Sequence, residues 1–254
     1  MTQSIFSPRP GPAPMASMIL AQTWLEIRLA LRNGEQLVLT VVIPALLLVL
    51  FGSIRVPALG SGGIDYLVPG VMTVAVLSTA FTGQGIATGF DRRSGVLKRL
   101  SASPLSKSGL IVAKTLAVAS IEVMQLLLIS LIGRFMGWSP SGGIGPALVL
   151  LILGTASFSG LGLLMAGTLR AEATLAVANL LFLLLLAGGG IFVPLAKFPA
   201  GVRPLLSLLP TAALSDGLRQ SFGPPHQFPL AATMILLVWA LVSIICAAVT
   251  FRWE

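Results

Sequence analysis

Side chains that usually carry catalysis or bind metals are scarce in this sequence. It contains one histidine, His226, and one cysteine, Cys246. A disulfide within the chain, a metal site built from these residue types and a histidine-based catalytic triad are therefore excluded. The phosphate-binding motif G-x-x-x-x-G-K-[ST] is also absent. The sequence predicts that the chain is not an enzyme and binds no metal or cofactor of its own.

Charged residues are also few. Only 9% of the 254 residues are charged and 56% are hydrophobic, whereas about a quarter of a soluble domain is charged. The solvent for most of this chain must therefore be lipid. The net charge of +8 comes from basic residues that flank apolar segments, which is typical of membrane orientation rather than of nucleic-acid binding. We expect no nucleic-acid partner.

The most polar stretch is residues 91–108, DRRSGVLKRLSASPLSKS. It contains five of the 16 lysines and arginines, namely Arg92, Arg93, Lys98, Arg99 and Lys107. Leu97 and Leu100 are spaced to share one face of a short helix, for which Gly95 permits a preceding turn and which Pro104 would end. Such a helix can press its leucines into a groove on a cytoplasmic partner protein. The alternative is a basic loop that only fixes the orientation of the neighbouring spans.

Six apolar segments are predicted to cross the membrane, where a span needs about 20 residues. They lie near residues 37–53, 66–90, 109–132, 146–169, 174–193 and 230–251. An even number places both termini on one side, and most of the 16 lysines and arginines then lie on that side. The positive-inside rule predicts that both termini are cytoplasmic. We expect an all-α integral membrane fold in which residues 18–254 form one membrane domain.

Two segments precede the first predicted span. Residues 1–17 have proline at every second position from Pro8 to Pro14, so we expect a disordered tail. Residues 18–33 have apolar residues at helical spacing, at Leu20, Trp24, Ile27 and Leu31. We expect an amphipathic helix on the cytoplasmic membrane surface. The alternative is an ordinary lead-in to the first span.

Three polar residues inside the predicted spans are candidates for a translocation route. Glu122 and Gln125 share one helical face of the third span, and Gln84 lies in the second, which is rich in small residues that allow close helix packing. A carboxylate at membrane depth is costly, so Glu122 should face protein or water. It would line or gate the route, or it would make a structural hydrogen bond between helices.

Residues 197–227 are long for a connection between two membrane spans. Prolines divide them into short pieces, and their leucines are too few to cross the membrane, so we expect a re-entrant or interfacial helical element on the outer side. Pro210 would open a second helix in which Asp216 and Arg219 can pair. Before this element, three glycines at residues 188–190 favour close packing or a break in the helix. His226 is expected to be an incidental loop residue.

The stretch 91–108 resembles the first cytoplasmic loop of type-2 ABC export permeases, in particular the daunorubicin-resistance-like branch. That loop has the pattern E-x-x-x-G-x-L-x-x-L-x-x-T-P-L-S, which is matched here by Gly95, Leu97, Leu100, Pro104, Leu105 and Ser106. Asp91 replaces the glutamate and Ser103 the threonine, and both changes keep the chemistry. A second resemblance covers the outer element, with Gly190, Pro194, Pro199, Pro210, Thr211, Asp216, Leu218 and Arg219 in place. Leu209 replaces the usual asparagine.

The resemblance implies a transport subunit. Two permease chains, identical or related, would pair with two ATPase chains that bind the ATP and Mg. The loop would form the coupling helix, with Asp91, Gly95, Leu97, Leu100, Pro104 and Leu105 at the ATPase. The route would lie between the two permeases, lined by the second and fifth spans, in a bacterial cytoplasmic membrane. The expected cargo is an amphipathic or lipid-like compound, moved out of the cytoplasm or inner leaflet.

Other functions remain open at this point. A permease for a surface polysaccharide or lipid-linked glycan is one alternative, although the single tyrosine, Tyr66, and four tryptophans offer few aromatic platforms for sugar rings. A non-transporting membrane scaffold or a polytopic membrane enzyme is an alternative of another class. The enzyme would need a cluster of acids, histidines or serines at one depth, which the sequence lacks.

Overall fold

The computed structural model describes residues 13–53, 63–224 and 228–250, and within these ranges the chain is helical with no β-strand. Helix α1 spans Met15–Arg32. Helix α2 joins an α-helical turn at Gly34–Leu37, a π-helical segment at Val38–Val42 and an α-helix at Ile43–Ser53. Helix α3, Gly63–Arg93, has a π-helical segment at Leu77–Gly83. The remaining helices are α4 Val96–Ser101, α5 Lys107–Phe135, α6 Ile144–Thr168, α7 Ala171–Gly188, α8 Arg203–Ser207, α9 Pro210–Phe222 and α10 Leu230–Thr250.

Five of these helices are long and apolar enough to cross a membrane: α3, α5, α6, α7 and α10. They correspond to the second to sixth predicted spans. Where the first span was predicted, the apolar helix Thr40–Ser53 is shorter than the others. The described part of the chain thus has five candidate spans and one shorter apolar helix, in an all-helical membrane fold.

Most boundaries differ from the prediction by a few residues, and two of the differences have a cause in the sequence. Helix α1 begins at Met15, inside the segment expected to be a disordered tail, because the last of the clustered prolines, Pro14, is the residue before it. The fifth span was expected to reach residue 193, but α7 ends at Gly188. Gly190 follows with a φ of +63°, a conformation that glycine adopts without strain and that ends the helix. Residues 1–12, His226 and residues 251–254 lie outside the described ranges.

Helix α3 is the centre of the bundle, and ten consecutive residues at 67–76 are buried. It crosses α6 where two glycines meet. A Cβ on Gly162 would lie 2.7 Å from the Phe81 carbonyl oxygen, and one on Gly85 would lie 3.1 Å from the Gly162 carbonyl oxygen. The close approach predicted for the small residues of the second span occurs here, since only hydrogen atoms separate the two backbones.

The bundle has two distinct ends. At one end of the bundle, a turn joins α3 to α4, and a loop then leads into α5. The end of α6 lies beside this region, where Arg92 donates a hydrogen bond to the Leu169 carbonyl. We call this the loop end. The opposite end carries α8 and α9, and we call it the hairpin end.

Helix α1 packs along the first half of α5 with its polar face inward. Gln22 and Thr23 are buried, and Thr23 donates a hydrogen bond to the Ala113 carbonyl at 3.3 Å. The apolar side chains Leu20, Trp24 and Leu31 are exposed. The helix is amphipathic as predicted, with its apolar face available to lipid. Its position at the membrane surface stays a prediction.

Helix α9 is enclosed by the bundle at the hairpin end. Leu214 packs on Gly154 of α6, where an added Cβ would be 2.9 Å away, and Gly217 lies against Leu150 and Ala232. Trp239 of α10 donates a hydrogen bond to the Leu208 carbonyl at 2.9 Å. The outer element therefore forms two short helices, and the second, opened by Pro210, sits among the candidate spans. Its re-entrant depth in the membrane stays a prediction.

Candidate functional site

The loop between α3 and α5 folds as a short helix. Gly95 has a φ of +76°, which glycine adopts without the cost that a Cβ would impose. This turn starts α4, which ends at Ser101, just before the segment that leads to Pro104. Both the turn and the end of the helix agree with the pattern of glycine and proline in the sequence.

Leu97 does not face a partner, which corrects the orientation predicted for it. Its side chain is fully buried and packs with Leu105 and Leu110. Met18 and Ile19 of α1 and the partly buried Leu100 cover this cluster. The helical spacing of the two leucines was right, but the groove that Leu97 fills belongs to its own chain.

The outward surface of the loop is therefore made by other residues. Val96, which is 39% exposed, lies beside the exposed Lys98 and Arg99, and Pro104 is exposed after them. The exposed surface of α4 is therefore cationic and carries one aliphatic side chain.

The base of the loop is held by a buried lysine. Lys114 Nζ lies 3.0 Å from Asp91 Oδ2 and 2.9 Å from Glu26 Oε1, and the lysine side chain is 4% exposed. Gln22 Nε2 donates a further hydrogen bond to Glu26 at 2.9 Å. A buried charge needs such partners, because an unpaired one costs several kcal/mol. Lys114 thus ties the end of α3 to α1 and α5.

The sequence-based prediction assigns Lys114 no role of its own. The available signal was a lysine two turns inside an apolar helix, which must find an acidic partner. Nothing in one sequence identifies Glu26 as that partner.

A second set of contacts joins the loop to the turn between α6 and α7. Arg92 donates to the Leu169 carbonyl at 2.6 Å, which lies just past the last residue of α6. Arg93 forms an ion pair with Glu172 in the first turn of α7. Displacement of the loop would therefore be felt by α1, α5, α6 and α7.

The three polar residues predicted for the translocation route form hydrogen bonds between helices. Gln84 accepts a hydrogen bond from Ser159 at 2.6 Å, and Glu122 accepts one from Thr155. Gln125 Nε2 donates to the Thr40 carbonyl at 2.6 Å, and the Gln125 side chain also lies 3.0 Å from the Thr79 hydroxyl. The contact with Thr155 favours the structural alternative for Glu122.

A cavity of about 680 Å³ lies between α2, α3 and α7. Its wall is mostly apolar and carries a few hydroxyl and amide groups, from Thr40, Ser78, Thr82, Asn33 and Asn179. The helices expected to line the route, the second and fifth spans, do line this cavity. Gln84, Glu122 and Gln125 are not part of its wall.

A smaller cavity of about 320 Å³ lies between α1, α3 and α5. Gln84 lines it, together with Glu26, Asp91 and Lys114 of the charge cluster. Its wall is therefore much more polar than that of the larger cavity.

At the hairpin end, Arg219 links three parts of the chain. Its guanidinium pairs with Asp216 at 2.8 Å, as the sequence predicted, and donates to the Ile191 carbonyl at 2.8 Å. It also stacks on the ring of Tyr66, whose hydroxyl donates to the Gly190 carbonyl at 2.6 Å. Burial raises the pKa of Asp216, an effect that Arg219 opposes, and burial lowers the pKa of Arg219.

Prolines mark the boundaries of this outer element. Pro194 precedes a 3₁₀ turn at Leu195–Lys197, and Pro210 is the first residue of α9. The described residues contain no group of three or more His, Cys, Asp and Glu side chains that could hold a metal ion. The arrangement offers packing, charge pairing and cavities.

Residues 18–223 match the family described as ABC-2 type transporter. Two curated relatives carry the name "Putative transport permease ycf38". The protein from Porphyra purpurea is 26% identical over 229 residues, which cover 84% of this chain and 76% of the relative. The one from Pyropia yezoensis is 26% identical over 221 residues, covering 81% and 71%. The chain, with its several apolar helices, therefore belongs to the ABC-2 type transporter family of multi-pass membrane permeases.

Proposed function

We propose that this chain is the membrane subunit of an ATP-driven exporter and that a separate ATPase docks at the loop of residues 91–108. The observation that carries this proposal is the way the loop is anchored. Ion pairs and hydrogen bonds from Asp91, Arg92 and Arg93 reach α5, the end of α6 and α7, and Lys114 extends the link to α1. A push on the loop would thus move the bundle rather than bend a free segment.

The docking surface is the outward face of α4. Val96 supplies an apolar contact, and Lys98 and Arg99 supply positive charge that suits an acidic rim on the partner. Gly95, Leu100 and Pro104 shape this surface, whereas Leu105 is buried with Leu97. Leu97 contributes indirectly, by fixing α4 on α1 and α5.

The working assembly would contain two ATPase chains, with their ATP and Mg, and two permease chains, identical or related. It would lie in a bacterial cytoplasmic membrane, with both termini and the loop in the cytoplasm. This orientation places the basic residues 92–107 and the Lys114 cluster on the ATPase side. Membership of the ABC-2 family supports the ATPase partner.

The cargo is proposed to be amphipathic or lipid-like. The cavity between α2, α3 and α7 has a volume of about 680 Å³ and a mostly apolar wall, within the usual range for sites that enclose drug-sized ligands. Its aromatic wall residues are Phe90 and Phe182, without tyrosine or tryptophan. A glycan route is therefore less well supported.

Reconstitution tests this function directly. The permease and the candidate ATPase would be placed in proteoliposomes, and ATP-dependent movement of a fluorescent amphipath between leaflets would be followed. We expect movement only with both chains and ATP. A complex that hydrolyses ATP without moving any amphipath would instead favour a scaffold role or a different cargo.

A further inference from the structure

The polar and apolar cavities are neighbours that share part of their walls. Asn33 and Ala87 line both. We propose that the two cavities form one bipartite binding site, which takes an amphipath by a small cationic head in the polar compartment and by its apolar body in the larger one. This proposal rests on the proposed transport function and names the class of its cargo.

The charge of the polar compartment selects the head. Its charged wall residues among the described part of the chain are the carboxylates of Glu26 and Asp91 and the ammonium of Lys114. Two negative charges and one positive charge leave an excess of one negative charge. Lys114 already contacts both carboxylates, so an anionic head would find no available cation there. A cationic head would gain a contact with a carboxylate.

Unmet hydrogen-bonding groups lie at the same wall. Gln84 and Thr88 line the polar compartment, and they are 5% and 0% exposed. Gln84 Nε2 and Thr88 Oγ1 have no hydrogen-bond partner among the residues that the structure describes. Buried polar atoms nearly always have one. The Thr88 hydroxyl can accept a hydrogen bond from an ammonium head, whereas Gln84 Nε2 is a donor and needs a water carried in with the head as its acceptor.

The apolar compartment suits the rest of such a molecule. It is about twice the volume of the polar one, about 680 Å³ against about 320 Å³. Ile43, Leu47, Val74 and Phe182 are among its wall residues. An acyl chain or a ring system would be buried there, while the smaller volume beside it limits the head to an amine or a quaternary ammonium group with a few waters.

Photolabelling with a matched pair of amphipaths tests the proposal. The probes would be two diazirine-bearing alkyl chains of equal length, one ending in an amine and one in a carboxylate, added to the full chain in neutral-lipid nanodiscs. We expect the amine to label the walls of both compartments and to bind about tenfold more tightly than the carboxylate, as one charge contact in a partly hydrated site implies.

Variants locate the head group. Glu26→Gln should lower amine binding by about tenfold, and it should not weaken carboxylate binding, because it removes a negative charge and leaves Lys114 with one carboxylate partner. Glu172→Gln is the matched control, because this carboxylate lies at the same end of the bundle, is exposed and lines neither cavity. Thr88→Val removes a hydroxyl without a partner and so should fold normally, and it should weaken amine binding several-fold.

Equal binding of the two probes, labelling confined to lipid-facing side chains, or Thr88→Val and Glu26→Gln proteins that fold and bind the amine like the wild type would each overturn the proposal. Failure of the proposed function gives a different result. A chain that activates an ATPase but binds both heads equally loses only the bipartite site. A chain that prefers the amine but never couples to an ATPase loses only the exporter role.

Discussion

Cζ of Arg219 lies 3.5 Å from the centre of the Tyr66 ring, which joins α9 to the first turn of α3. The same guanidinium donates to the Ile191 carbonyl and to the Tyr66 carbonyl at 3.3 Å. Cation–π stacking and hydrogen bonds to carbonyls use the flat, forked shape of arginine. At the hairpin end, the contact thus holds α9 and α3 together beside the glycine turn that ends α7.

Arg219→Lys should therefore destabilise the protein although it keeps the charge. An ammonium group cannot stack on Tyr66 and reach two carbonyls at once, and the loss of these contacts is expected to cost about 2 kcal/mol. Tyr66→Phe keeps the ring and loses only its hydrogen bond to Gly190, for about 1 kcal/mol. Thermal unfolding in nanodiscs would rank the two. An Arg219→Lys protein as stable as the wild type would show that these contacts do not stabilise the hairpin end.

Lys114→Met should be among the most damaging single substitutions at the loop end. It leaves Glu26 and Asp91 facing each other without their shared cation, which is expected to cost about 3 kcal/mol. Lys107→Met, at the exposed start of the same helix, should change stability by less than about 0.5 kcal/mol. Unfolding midpoints and protease sensitivity of the loop measure both. Equal effects of the two substitutions would show that the cluster does not anchor the loop.

Gly162→Ala tests the crossing of α3 and α6. The added methyl group would meet the Phe81 carbonyl oxygen at 2.7 Å, and backbone cannot move aside as a side chain can. We expect a loss of about 1–3 kcal/mol. Gly145→Ala in the first turn of α6 meets nothing within 4 Å and should be neutral or slightly stabilising. The crossing would be looser than described if both substitutions were tolerated equally.

Glu122→Gln separates the two roles considered for this residue. Glutamine has nearly the same shape and can still accept the hydrogen bond from Thr155. If Glu122 only links α5 to α6, transport by the variant should stay within about twofold of the wild type, because the hydrogen bond between the helices is kept. Leaflet-to-leaflet movement of a fluorescent amphipath is the readout. Loss of transport in a variant that folds normally would show that Glu122 acts in the translocation route.

Local features of the structure could be predicted from the sequence. Gly95 and the segment before Pro104 bound α4, Pro210 opens α9, and the i, i+3 spacing of Asp216 and Arg219 forms the expected ion pair. These features depend on backbone rules and on residues three or four apart. A single sequence contains that information directly.

Contacts between distant segments could not be predicted in this way. Leu97 is buried because α1 covers it, although Ile19 and Leu97 are far apart in the sequence. The pairing of Lys114 with Glu26 and the stacking of Arg219 on Tyr66 have the same origin. Each depends on which helix faces which, and apolar helices of similar composition do not specify their neighbours by pattern alone.

Force transmission from an ATPase through α4, as proposed above, can be measured as ATP hydrolysis by the reconstituted complex in nanodiscs. Val96→Asp/Arg99→Glu changes only outward-facing side chains, and Val96→Ala/Arg99→Lys is its conservative control. Size exclusion would verify folding of both. We predict that the charge-reversed variant loses the partner or its permease-dependent ATP hydrolysis, while the control keeps both. A charge-reversed variant that binds the ATPase and supports turnover like the wild type would contradict the account.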